Sequence, residues 1–383
     1  MTARRILLID ADPASLKYLA DTLRQEGYEV LQAPSGKEGL IAAWRDLPDI
    51  VLVDPVLPDL SGEELAACLR AEPRTVNLPL VALSSDARAA RRKSCLEAGF
   101  SEFLVKSPQL LPSLHDTLAR VVSFGQTTES EGGLLIAFLS AKGGTGTSSL
   151  CANLAMNIAD QDHNERVVVA DLVLPIGSIA GIVGYTGTQN VVTISKMPAG
   201  KTTPEFLQDS LVQMNPWHFH ILAGAPDPGR AIELDFGRVN QLIGALRSAF
   251  DVVVLDLGRA LSRISLPLIE RADMLAMIVG ADLTTADLSK TVWEYLKSKG
   301  VQTSAMYVIM NRPVGLAGQT REQAEKIIGL PVQAAMQYLA ENLSLANYQN
   351  RPYCMKFPGD TASIIFTETA RQMVDLARQR RST

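Results

Sequence analysis

Two groups of residues in this 383-residue chain have the types and spacing to do phosphate chemistry. The first is residues 140–149, SAKGGTGTSS, which follow an apolar run, GLLIAFL, and precede a helical pattern, LCANLAMNIA. Strand, glycine-rich turn and helix in that order present backbone N–H groups and a helix dipole to a phosphate. Gly143, Gly144 and Gly146 let the backbone approach closely, Thr145, Thr147 and Ser149 complete the loop, and Ser148 stands where a hydroxyl would ligate Mg2+. Such a loop normally carries a lysine between its last glycine and its hydroxyl pair. Here Thr147 holds that place, and the nearby lysine is Lys142, at the front. The second group comes from the ends of successive apolar runs: Asp10 and Asp12, then Asp54, Ser84 and Lys106. Acids to hold Mg2+, a carboxylate to attack a phosphoryl group, and a hydroxyl and a lysine to bind its oxygens suit aspartyl-phosphate chemistry.

Both groups need a sheet to bring them together. Residues 4–8, the run around 28–31, and residues 49–53, 78–83 and 102–105 read as strands. Between them, residues near 13–26, 36–46, 62–72, 87–98 and 108–122 carry apolar side chains at helical spacing. That alternation predicts an α/β, doubly wound parallel sheet, whose ligands sit at the C-terminal strand ends. Residues 125–133, GQTTESEGG, have no apolar face and read as a linker, dividing the chain into 1–124 and 134–383. A second series follows, with strands in LLIAFLS, RVVVADL, HFHILAG, FDVVVLDLG, MLAMIVG and SAMYVIMN and helices near 148–160, 236–249, 284–299, 319–328 and 362–380.

That second series places three more polar residues at strand ends. Asp256 is positioned to orient a Mg2+-bound water, Asp171 ends another strand, and Asn311 is placed to read an adenine edge. Asp171 as a helix cap and Asn311 as a turn residue before Arg-Pro are the plain alternatives.

Composition narrows the classes. The net charge of −5 gives no global basic field for nucleic acid, and no apolar run has membrane-spanning length. The start of the chain goes straight into a strand, so no signal peptide is expected. Cys68, Cys95, Cys151 and Cys354 lack metal or redox spacing, which fits a reducing cytosol. His218 and His220 are expected on one face of a strand, with no third ligand. The C-terminal run through Phe366, Ala370, Met373, Val374 and Ala377 is expected to pack on the sheet rather than lie on a membrane.

Residues 4–122 resemble the CheY-like (flavodoxin-like) receiver domain of two-component response regulators, carried by DIVLVDPVLPDLSGEEL, LVALSSD and LEAGFSEFLVKSP. The resemblance implies Asp54 as phosphoacceptor, Ser84 as switch hydroxyl, Phe103 as switch aromatic, Lys106 as the conserved-type lysine, and a histidine kinase as partner. It departs at Ala11, where the family has a principal Mg2+ ligand, and at Ser107, which separates Lys106 from Pro108.

Residues 134–380 resemble the deviant Walker P-loop NTPases (SIMIBI class, ParA/MinD-like), identified by Lys142 ahead of the glycines. That resemblance implies ATP and Mg2+ as cofactors and a homodimer in which Lys142 contacts phosphate across the interface. The two domains together, with LAGAPDPGRAIELD, FDVVVLDLGRALS and GADLTTADLSKTV, look like the TadZ/CpaE-type proteins of Flp (Tad) pilus assembly. The implied role is a cytoplasmic scaffold, peripheral at the inner face of the membrane or cell pole. It would position a pilus secretion ATPase and related assembly machinery, with no specific nucleic acid. Thr147 for the loop lysine, Val173 for a second acid and Leu257-Gly258-Arg259 for a Pro-rich turn depart from an active ATPase. A lost charge-assisted phosphate contact is worth roughly 1.5–3 kcal/mol, about ten- to a hundredfold in affinity. ATP binding with weak or absent hydrolysis is therefore expected. The rivals are a response regulator with an ATPase output domain, a ParA/MinD-type partition or cell-division positioning ATPase, and an interaction module that binds no nucleotide.

Overall fold

The computed structural model describes residues 5–382 except 73, 76–77, 108–109, 115–116, 119–131, 198, 260, 263 and 313–317. Of the expected linker, only Gly132 and Gly133 fall within the described residues. The chain separates into two compact units, Met1–Thr127 and Thr128–Thr383.

In the first unit, β1 (Arg5–Ile9), β2 (Glu29–Ala33), β3 (Ile50–Val53), β4 (Leu80–Ser84) and β5 (Glu102–Val105) form a parallel sheet in the order β2-β1-β3-β4-β5. β3 and β4 are buried along their whole length, so they read as unbroken apolar runs rather than alternating ones. Leu40, Leu65 and Leu69, from helices Gly36–Asp46 and Gly62–Ala71, cover one face. Leu16, Leu19 and Leu23, from helix Pro13–Gln25, cover the other with Leu110, Leu114 and Leu118. Connections run outward in both directions from β1 and β3, which leaves a crevice at their C-terminal ends.

The second unit adds β6 (Leu134–Ser140), β7 (Val167–Asp171), β8 (Val212–Gln213), β9 (His220–Leu222), β10 (Val252–Asp256), β11 (Met274–Gly280), β12 (Met306–Asn311) and β13 (Val332–Ala335). Their order is β13-β12-β11-β6-β10-β7-β9-β8, and β8 alone among the described strands runs antiparallel, to β9. The sequence did not reveal β8, β13 or the short helices Ile179–Val183, Val191–Ser195 and Pro204–Ser210. Each is too short for a period to emerge.

The histidine expectation needs correction. The chain reverses before β9: His218 has φ +61, and its backbone N–H donates to Met214 O. His218 therefore sits in the turn, with Nδ1 3.1 Å from Asp160 Oδ1, while His220 begins the strand. The two do not share a strand face.

The C-terminal helix Thr361–Arg381 buries Phe366, Ala370, Met373, Val374 and Ala377 in the core that also takes Leu150, Leu154 and Ile158 of helix Thr147–Gln161. Its apolar face is thus inside the domain, and no described helix is long and apolar enough to cross a membrane. At the opposite end of the sheet from the glycine loop, Asp273 Oδ2 accepts from Leu135 N (2.7 Å), Arg381 Nη2 (2.6 Å) and Arg247 Nη2 (3.4 Å). Arg247 is buried and also donates to Gly133 O.

Removing one partner of a buried ion pair leaves the other charge uncompensated. Asp273→Ala is expected to destabilise the second unit by about 3 kcal/mol. Urea unfolding followed by Trp217 and Trp293 emission, with Trp44 of the first unit replaced by Phe, reads that unit alone. An unchanged midpoint would contradict the assignment.

Candidate functional site

The central place of β6, between β10 and β11, puts the glycine loop among the strand ends that carry Asp171, Asp256 and Asn311. Gly144 and Gly146 have φ +79 and +84, the left-handed region that favours glycine. Space above Gly144 is open, with nothing within 4 Å of where a side-chain carbon would begin. At Gly146 such a carbon would lie 2.7 Å from Asn311 Nδ2.

Asn311 is therefore a loop-positioning residue here. Its Nδ2 donates to Thr145 O at 2.8 Å and its Oδ1 accepts from Arg312 N at 3.0 Å. One N–H of the amide and one lone pair of its oxygen are thus spent on Thr145 and Arg312, and the side chain is buried, so in this arrangement it steadies the loop. Thr147 also turns inward. It is buried, with Oγ1 2.9 Å from Thr145 Oγ1, so the place of the missing lysine presents no side chain to the loop's open side. Ser149 Oγ accepts from Asn347 Nδ2 at 3.0 Å. Lys142 is half-exposed and donates to Asp282 Oδ1 at 3.2 Å. Asp282 caps helix Leu283–Ser298, and its N-cap role was the one sequence signal that could have marked it.

The two acids differ in kind, although β7 and β10 hold them side by side in register. Asp171 accepts from Val173 N (3.0 Å) through Oδ1, and from Ser178 N (2.7 Å) and Ile179 N (2.9 Å) through Oδ2. It ties down the segment after β7 and takes the first N–H groups of helix Ile179–Val183, whose N-cap residue is Ser178. Asp256 is fully buried. Oδ1 accepts from Gly258 N at 3.0 Å, but Oδ2 has no hydrogen-bond partner among the described residues. Burial pushes the Asp256 carboxyl up to about 7, and the Asp171 carboxylate adds to the rise; the Ser148 hydroxyl and Gly258 N–H oppose it. Burial likewise raises Asp171. An unsatisfied buried carboxylate oxygen is costly and calls for a counter-charge. With the Ser148 hydroxyl it offers hard oxygen donors, which suit Mg2+.

In the first unit, Lys106 Nζ lies 2.7 Å from Asp10 Oδ2 and 2.5 Å from Asp54 Oδ2. Burial pulls Lys106 down, but its hydrogen bonds to the two carboxylates outweigh that and raise it. Ser15 Oγ donates to Asp10 at 2.7 Å, and Val56 N donates to Asp54 at 2.8 Å. Ser84 is buried at the end of β4 and accepts from Asp86 N. Phe103 is buried. Asp12 does not join the group: its carboxylate accepts from Ala14 N and Ser15 N and caps helix Pro13–Gln25. The expectation that Asp12 would help Asp10 and Asp54 hold Mg2+ is corrected accordingly, and among the described residues no three metal-ligating side chains gather.

Residues 6–116 match the response regulator receiver domain family. Over 103 residues the chain is 39% identical to the response regulator PleD of Caulobacter vibrioides, a match that covers 27% of this chain and 22% of that protein. The chain thus spans about a fifth of that relative's length. Its fold is similar to that of a ParA family ATPase from Chlorobium tepidum TLS, with TM-score 0.57 and 20% identity over 62% of this chain and 98% of that one. It is also similar to the septum site-determining protein MinD of Pyrococcus horikoshii OT3, solved as a complex with Mg-ADP, with TM-score 0.56 and 19% identity over 65% of this chain and 98% of that one. At that identity the likeness is one of fold. The N-terminal domain belongs to the response regulator receiver family, and the same chain continues into a P-loop domain of the ParA/MinD-like ATPase fold.

Proposed function

We propose that the P-loop domain binds ATP with Mg2+ and turns it over slowly or not at all, and that the chain acts as a dimerising scaffold of the TadZ/CpaE type in Flp (Tad) pilus assembly. The unpartnered oxygen of Asp256 beneath an open glycine loop is the observation that carries nucleotide binding. Backbone N–H groups of Gly143, Gly144, Thr145 and Gly146 would cradle phosphate, and Ser148, Ser149 and Asp256 would hold the hydrated ion. The ion's chemistry is to neutralise phosphate charge. Lys142, released from Asp282, would reach a phosphate of its own site or of a second copy. Asp171 and Asn311 position the cradle. With Thr147 turned inward, no cation arises from the loop itself where charge grows during hydrolysis, so slow turnover follows.

The receiver unit would then dock a partner, whether the pilus secretion ATPase or other machinery at the membrane or cell pole. The close Lys106–Asp54 contact supports a second reading, phosphorylation of Asp54 by a histidine kinase.

Three experiments test these readings. ATP should bind the full chain, turnover should stay far below ordinary ATPase rates, and Lys142→Ala should weaken ATP binding about tenfold. Absence of ATP binding to the wild type would defeat the nucleotide reading. The raised Asp256 value means that, between about pH 4 and 7, the folded chain holds a proton that the unfolded chain has released. That contribution to stability is present at low pH and is lost as pH rises toward 7. Thermal melts without nucleotide should show this slope, and Asp256→Asn should flatten it. An unaltered slope would contradict the assignment. Finally, Ala11→Asp, which restores the receiver's acid pair, should raise Mg2+-dependent labelling of Asp54 by acetyl phosphate about tenfold or more. Equal labelling of wild type and variant would show that Ala11 does not limit the receiver.

A further inference from the structure

The loop's own lysine is missing, yet a second cation stands over it. Arg259 follows β10 by way of Asp256-Leu257-Gly258, a turn that departs from the Pro-rich pattern. The turn is tied at every residue. Gly258 N donates to Asp256 Oδ1 at 3.0 Å, Leu257 N donates to Phe138 O at 2.9 Å, and Ser140 N donates to Gly258 O at 2.8 Å. Gly258 has φ +60, and a side-chain carbon there would press on Val173 Cγ2 at 3.1 Å, both of which favour glycine. Ser140 is also the last residue of β6, and its Oγ donates to Lys142 O at 3.1 Å. The same few hydrogen bonds therefore fix the start of the glycine loop and the base of Arg259 together.

The side chain then leads toward the cradle. A carbon placed on Gly143 would meet Arg259 Cδ at 3.8 Å, ordinary contact distance, while the space above the neighbouring Gly144 is open. Arg259 is exposed and makes no ion pair or hydrogen bond among the described residues, whereas Lys142 is engaged with Asp282. Of these two cations beside the loop, Arg259 is the uncommitted one. A guanidinium is always charged and suits phosphate oxygens in a fork geometry.

We propose that Arg259 is a second phosphate-binding cation of this site, beside Lys142. It takes over, from the turn after β10, the contact that Thr147 cannot make, and it directs the site to nucleoside di- and triphosphates. The assignment rests on the nucleotide reading above and deepens it. Because the cation approaches from the Gly143 side rather than from the helix that begins at Thr147, it secures the phosphates without restoring the arrangement of an ordinary loop lysine.

The test is titration of the full chain with a fluorescent ATP analogue and Mg2+, read by anisotropy, for wild type, Arg259→Ala, Arg259→Met and Arg259→Lys. Circular dichroism melts confirm that this exposed substitution leaves the fold in place. The expected result is binding by wild type, an affinity about tenfold or more weaker for Arg259→Ala and Arg259→Met, and an affinity within about threefold of wild type for Arg259→Lys. Met keeps the apolar stem, so a loss there isolates the charge. If wild type binds and Arg259→Ala and Arg259→Met bind as tightly, the role of Arg259 is overturned while the nucleotide reading stands. If wild type does not bind, both fall together.

Discussion

Two carboxylates, Asp171 and Asp256, sit in register at the ends of adjacent buried strands, and the P-loop domain is organised around the difference between them. Asp171 is surrounded by backbone donors, and Gly177 and Gly224 pack against it so closely that a side-chain carbon on either would strike its carboxyl group. Asp256 keeps one oxygen with no partner among the described residues. Two like charges at this depth cannot both be ionised cheaply, so a neighbouring cation would relieve both acids. The glycine loop, held by Asn311 and by the Ser140–Gly258 contact, is the opening through which that cation and an anionic ligand would arrive.

The receiver unit resolves the same electrostatic problem internally. Asp10 and Asp54 also converge at the ends of adjacent strands, but Lys106 lies between them and holds both. Asp12 is occupied with a helix cap, and Ala11 has no oxygen to offer. One domain thus balances its acid pair with a lysine, and the other leaves one carboxyl oxygen without a partner among the described residues. This contrast supports a division of labour in which the P-loop domain takes the ligand and the receiver serves mainly as a docking surface.

Much of the fold was legible in the sequence because parallel strands buried on both faces leave unbroken apolar runs, as in the VVVLD of β10 and the MLAMIVG of β11. Helix Phe236–Ala249 follows its apolar spacing to the residue. The short helices after β7 and the two-residue strand β8 were not legible, since a few residues define no period. At the site, residue types identified the loop and the strand-end acids, but not their duties. Whether Asp171 holds a ligand or a backbone, and whether Asn311 reads a base or steadies Thr145, depends on hydrogen bonds between segments far apart in the chain. Asp282 and Arg259 were missed as partners of the loop for the same reason. Their contacts, to Lys142 and beside Gly143, cross about a hundred residues or more and leave no local pattern.

Burial raises the Asp256 carboxyl to about 7, so its proton must leave if a divalent ion and nucleotide phosphates bind beside it. Calorimetric titration of ATP into the full chain near pH 6, in buffers of different ionisation enthalpy and with or without Mg2+, measures this directly, because ligand binding to a protonated site releases the proton. The expected result is Mg2+-dependent binding accompanied by release of close to one proton, abolished by Asp256→Asn. Binding that needs no Mg2+ and releases no proton would contradict it.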